Sequence, residues 1–330
     1  MAAFDEELAA LLALDALEQD EQADAELNVG TFPAEMAGAS AALAEGSAAP
    51  PPEGLRASAL ERALSRRTAG RPTDAAVPCE PLDGFRRTIT DLDVLLASLS
   101  EPEWDLVAHP EHGRVRDLIA HLVGVEQLSV AWLHGDPVTD ALDHVAATRA
   151  AVDEFADADV ETLRATWRDA VADVVVAADE GDPDRPVAMH DIVTSVSGLL
   201  VMRTFELWAH SMDIADAVGR PMPVLDDERM ATLSGRLMAA VPLALAYRQR
   251  TAPGRTARFV LTGPAGGCYS VPLHPGDTAG TPDVLVVADA VDLCRVAARR
   301  LDADMLPATV EGDADLARLV LTRLDAFARD

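Results

Sequence analysis

The stretch VMRTFELWAHSMDIADAVG, residues 201–219, decides how this chain is read. It reads as a helix that stops at Gly219, with Pro221 just beyond. Glu206 and His210 lie four apart in it, and residues four apart on a helix share a face. The carboxylate and the imidazole therefore point the same way. Arg203 and Asp213 extend the same stripe at either end. A second helical stretch, VRDLIAHLVGVE at 115–126, carries His121. If the two helices are neighbours, two imidazoles and one carboxylate converge. Such a set leaves a metal ion one open position. Asp213 would then orient an imidazole, and Arg203 would bind a substrate carboxylate or pair with Asp213.

Composition bounds the alternatives. A length of 330 residues, 49% of them hydrophobic, suits two or three domains with real cores. The balance of 27 cations against 56 acids gives −29, and every cation is arginine. So acidic a chain repels phosphate backbones and anionic lipid, which argues against nonspecific nucleic-acid or membrane binding. The longest near-apolar run, around Val196–Met202, is far short of a bilayer span. Acids follow Met1 where a secretory signal would be basic, so a cytoplasmic location is expected. Cys79, Cys268 and Cys294 are odd in number and far apart, as reduced thiols would be. Cys79 reads as a buried thiol or an extra ligand, and Cys268 and Cys294 as core.

Along the chain, residues 1–28 form an acidic amphipathic helical region, 37–54 a Pro- and Ala-rich linker, 55–67 a short helix and 67–78 another linker. Apolar spacing predicts helices over 82–99, 115–134, about 140–179 with a possible break, and about 189–218. Short connections between them predict an antiparallel four-helix bundle. Residues 101–114 read as loop, with His109 and His112 facing solvent. After Pro223 the pattern changes to a helix over 226–249, strands at 256–263, 267–273 and 283–289, and helices near 290–301 and 313–328. This predicts a small α+β domain. The expected divisions are 1–67, 79–222 and 223–330.

At these residues the chain resembles the mycothiol-dependent maleylpyruvate isomerase family, whose bundle is DinB-like. The matching pieces are VRDLIAHL and RTFELWAHSMDIADAVGRP, followed by RFVLTGPAGGCYSVPL, DVLVVADAVDLCRVAARRLD and EGDADLARLVL. The last three are similar to the family's C-terminal domain of sterol-carrier type. The resemblance spans about residues 79–328. It implies a divalent metal, with zinc suited to the donors, on His121, Glu206 and His210. It implies mycothiol as the thiol cosubstrate: its thiolate adds to a conjugated double bond, the bond rotates, and the thiol leaves. It also implies an arginine from the C-terminal domain near the site, matched by Arg299 or Arg300. The family tends to carry a tryptophan before VRD, where this chain has Gly113 and Arg114.

The first 67 residues are similar instead to the sigma-binding segment of actinobacterial anti-sigma factors. Zinc-binding versions carry a histidine and a CxxC, and the matching positions here are Glu26, Gly30 and Pro33, so no such zinc site is expected. Twelve carboxylates and no cation in residues 1–54 suit a basic partner such as a sigma factor. Two readings follow. One is a metal-dependent, thiol-using isomerase or transferase acting on a small acid or electrophile. The other is a soluble anti-sigma factor whose bundle is a sensor.

Overall fold

A computed structural model of the chain describes residues 76–135, 144–190, 192–263 and 265–328. The anti-sigma-like segment 1–67 lies outside the described residues. Eight helices appear among them: α1 Pro81–Ala97, α2 Val115–His134, α3 His144–Glu154, α4 Val160–Asp179, α5 Val196–Ala217, α6 Asp227–Tyr247, α7 Ala290–Ala297 and α8 Ala314–Leu321. The strands are β1 Val107–His109, β2 Gly113–Arg114, β3 Pro186–Met189, β4 Ile192–Ser195, β5 Thr256–Thr262, β6 Gly267–Pro272, β7 Val284–Asp289 and β8 Ala308–Gly312.

Helices α1, α2, α4 and α5 pack together, with α3 laid along α2. Their core holds Phe85, Leu92, Leu118, Leu122, Leu163, Trp167, Leu199 and Leu207. A mixed sheet follows in the order β6-β5-β7-β8, with β5 and β7 parallel and both outer pairs antiparallel. Alternate residues of β5 and β7, among them Ala257, Phe259, Val284 and Val286, point into a second core beneath α6, α7 and α8. Helix α6 is long and apolar enough by composition to cross a bilayer. Met230, Leu233, Met238, Val241 and Leu245 place its apolar face in that second core instead.

Helix α5 belongs to both cores. Leu199, Leu200, Leu207 and Ile214 face the bundle, and Val201, Trp208, Ala209 and Met212 face the sheet domain. Packed on two apolar faces, the helix is largely buried, and it carries Glu206 and His210 with it. An acid-rich chain caps its helices with aspartate. Asp159, Asp226, Asp289 and Asp313 accept backbone N–H groups at the starts of α4, α6, α7 and α8. A carboxylate there also meets the positive end of the helix dipole.

Several expectations need correction. The helix expected from about 189 begins at Val196. Residues before it form the β3–β4 hairpin, where β-branched Val187, Ile192, Val193 and Thr194 favour extended backbone and Ser195 caps the helix. The third helical stretch is broken, as its reading allowed, into α3 and α4. Residues 101–114 hold a 3-10 turn and the small β1–β2 hairpin. Strand β8 adds a fourth strand to the three expected from sequence. Cys268 is exposed on the outer face of β6, not in the core, because β6 alternates its side chains and Val271 takes the inward place. Cys294 is buried as expected, and burial pushes its thiol up to about 12.

Trp167 is fully buried between the bundle helices. Trp167→Ala should cost about 3–5 kcal/mol of unfolding free energy, measured by urea denaturation.

Candidate metal centre

The site is built where α2, α5 and the β1–β2 hairpin meet. His121 (1% exposed) and His210 (0%) come from the two helices named from the sequence. Their ring centroids are 5.8 Å apart and the planes nearly perpendicular. Glu206 Oε1 stands 3.6 Å from His121 Nε2 and 4.0 Å from His210 Nε2. The three residues expected to converge do so.

Hydrogen bonding fixes how the imidazoles present themselves. His210 Nδ1 lies 2.9 Å from Asp213 Oδ2. An ionised carboxylate can only accept, so Nδ1 carries a proton and Nε2 is the nitrogen turned toward Glu206. His121 Nδ1 lies 2.6 Å from Thr148 Oγ1, whose own proton goes to the Val145 carbonyl at 3.1 Å. Nδ1 is again the donor, and Nε2 again turns toward Glu206. Thr148 reaches His121 because α3 runs close to Gly124, where an added Cβ would lie 3.1 Å from the threonine side chain. Burial would raise the Asp213 carboxyl, but hydrogen bonds and charge from His210 and Arg300 hold it at about 2, ionised at neutral pH.

Glu206 is held from behind. Arg203 donates to Glu206 and, through Nε and Nη2, to the Glu126 carboxylate at 3.2 and 2.6 Å. Arg203 is 2% exposed and Glu126 fully buried. Burial disfavours the guanidinium charge, but Glu126 and Glu206 outweigh it and raise its pKa. This corrects the expectation that Arg203 pairs with Asp213 or takes a substrate. Ten residues along a helix are roughly 15 Å, so Arg203 turns toward α2 while Asp213 turns toward the C-terminal domain.

That domain supplies Arg300. Its Nε donates to Asp213 Oδ1 at 2.8 Å and its Nη2 to Asp213 Oδ2 at 2.5 Å, which leaves Nη2 3.4 Å from His210 Nδ1. Of the two candidate arginines, Arg300 faces the site. Arg299 adopts left-handed backbone (φ 60°) at the end of α7, and its side chain turns outward to Asp325 at 3.4 Å.

His112 departs from its sequence expectation. It is 7% exposed, not solvent-facing, and its ring stacks on His121 with centroids 3.9 Å apart. One nitrogen each of His112, His121 and His210 fall within 4.8 Å of one another. The β1–β2 turn carries it there. Gly113 at φ 85° makes that turn, and Glu111 and His112 donate backbone N–H groups to His109 Nδ1. Gly113 is also where the chain departs from the resembled pattern. Burial, then the neighbouring imidazoles, lowers His112 to about 2, so it is neutral at pH 7. Its Nε2 is buried and has no hydrogen-bond partner among the described residues. The sequence cue was the nine-residue spacing from His112 to His121 across a glycine turn.

A cavity of about 490 Å³ opens beside this centre between α5, α6 and the end of α7. Glu206 and Arg300 stand in its wall.

Residues 85–215 match the model of the family described as "Mycothiol maleylpyruvate isomerase N-terminal domain". The matched stretch runs from α1 to the end of α5 and so falls on the helical bundle. Two curated uncharacterized proteins of Mycobacterium tuberculosis, from strains CDC 1551 / Oshkosh and ATCC 25618 / H37Rv, are each 25% identical over 253 residues, covering 74% of this chain and 93% of the relative. Two solved structures are similar: the mycothiol-dependent maleylpyruvate isomerase (21% identity, TM-score 0.49) and a histidine-to-alanine mutant of it (19%, 0.48). Each match covers 70% of this chain and 92% of the other.

Removing one member of the buried Arg203 triad should be costly. Glu126→Ala should lose about 3 kcal/mol of stability in urea denaturation, because a buried guanidinium loses a partner.

Proposed function

We propose that this chain is a metal-dependent enzyme that uses a thiol, of the mycothiol-dependent maleylpyruvate isomerase kind. One observation carries the reading: Glu206 Oε1 lies 3.6 Å from His121 Nε2 and 4.0 Å from His210 Nε2 inside the protein. Two imidazoles and a carboxylate gathered this closely are a donor set that a divalent cation accepts. The residues fit such an ion. Charges point the same way: Glu126 and Glu206 against Arg203 leave one excess negative charge, while Asp213 and Arg300 cancel. Tetrahedral donors about 2.1 Å from zinc stand about 3.4 Å apart, close to the His121–Glu206 separation. His121, Glu206 and His210 would hold the ion, and His112 lies within reach as a further donor. A bound divalent ion supplies Lewis acidity that keeps a thiol ionised near neutral pH.

The protein groups do the rest. Asp213 and Thr148 hold the imidazoles in the donating tautomer. Arg203 fixes the Glu206 carboxylate. Apolar walls of the cavity lower the polarity around Glu206 and Arg300 and strengthen charge interactions there. A thiolate adds to a conjugated double bond of the substrate, and the electron pair moves onto the carbonyl oxygen. The former double bond rotates, and expulsion of the thiolate restores it in the trans form. Arg300, at the cavity wall, is placed to bind the oxygen on which charge develops.

Purified protein should carry stoichiometric divalent metal by elemental analysis and show thiol-dependent isomerase or transferase activity. His210→Ala should lose both. Asp213→Asn should keep the fold and weaken metal affinity about 10–100-fold, read by chelator competition. Wild-type protein without metal, or activity indifferent to thiol, would overturn the reading.

A further inference from the structure

The cavity differs from what a short, multiply charged acid would need. Its walls are largely apolar, with Val201, Met202, Phe205, Leu237 and Leu243 among them. Its volume of about 490 Å³ lies within the range of pockets that enclose drug-sized ligands. Charged groups are few: Glu206 and Arg300 beside the imidazoles, and Arg236 from α6.

Arg236 is unusual here. Acids outnumber cations by 56 to 27, yet its one hydrogen bond among the described residues goes to a hydroxyl, from Nη2 to Thr194 Oγ1 at 3.1 Å. No carboxylate pairs with it among those residues. The place is kept clear by Gly198 in the first turn of α5. A Cβ there would collide with both Arg236 Nη2 and Thr194 Oγ1. An exposed guanidinium on an apolar wall, spared by the surrounding acids, suits a planar anion held through paired N–H donors.

We propose that the cavity takes a substrate with a sizeable apolar body and a carboxylate, and that Arg236 holds the carboxylate. The inference rests on the enzyme reading above and names its substrate class: an apolar monoacid electrophile in place of a short diacid. Arg236 sets specificity and takes no part in the chemistry.

Calorimetric titration of the full-length, metal-loaded protein with octanoate, butyrate and octanol tests it. Octanoate should bind on the order of 100-fold tighter than butyrate, from four more buried methylenes. Arg236→Gln should weaken octanoate about tenfold and leave octanol unchanged, and Arg236→Lys should retain most of the affinity. Octanoate binding no tighter than butyrate overturns the proposal, as does equal loss of octanoate and octanol in Arg236→Gln. Metal content and thiol-dependent turnover are followed on the same preparations. Octanoate binding as expected without turnover counts against the enzyme reading alone. Thiol-dependent turnover of a short diacid without octanoate binding counts against the substrate class alone.

Discussion

A guanidinium buried to 2% exposure cannot stand alone in a protein core, and Arg203 does not. Glu126 on α2 and Glu206 on α5 flank it, so one cation bridges the two helices that carry His121 and His210. The bridge sets their separation and aims the Glu206 carboxylate at the imidazoles. It also leaves the centre with negative charge to spare. The remaining contacts refine what this triad imposes: Thr148 and Asp213 choose the tautomers, and the β1–β2 turn adds His112.

The second constraint is the position of α5. Apolar on two faces, it serves the bundle with one and the sheet domain with the other. The division expected near residue 222 therefore cuts a shared packing arrangement, even though the secondary structure changes there as expected. Arg300 depends on this sharing. It follows a helix of the sheet domain and reaches back to Asp213 of α5. The cavity lies along the same junction, with walls from both parts.

What can be read from sequence follows from what is local. Period-3.6 patterns give α1, α2 and α6 nearly to the residue, and the four-residue spacing of Glu206 and His210 gives half of the site. Gly135 and Gly219, at φ 74° and 67°, end α2 and α5 where the sequence places those ends. Long-range features are hidden. Nothing near Arg203 announces Glu126, 77 residues earlier, so Asp213 stands out as its partner instead. His112 reads as a loop residue because its burial comes from a hairpin folding over two distant helices. The β3–β4 hairpin is absorbed into a helix because Val and Ile suit either reading in a short apolar run. Arg299 and Arg300 are indistinguishable until a left-handed residue turns them apart.

The central claim is that buried imidazoles and a carboxylate share one cation. X-ray absorption at the edge of the metal retained by purified protein tests it directly. The account predicts nitrogen and oxygen neighbours at about 2.0–2.1 Å with outer-shell scattering from two or three imidazoles. A metal surrounded by water oxygens, with no imidazole scattering, would contradict it.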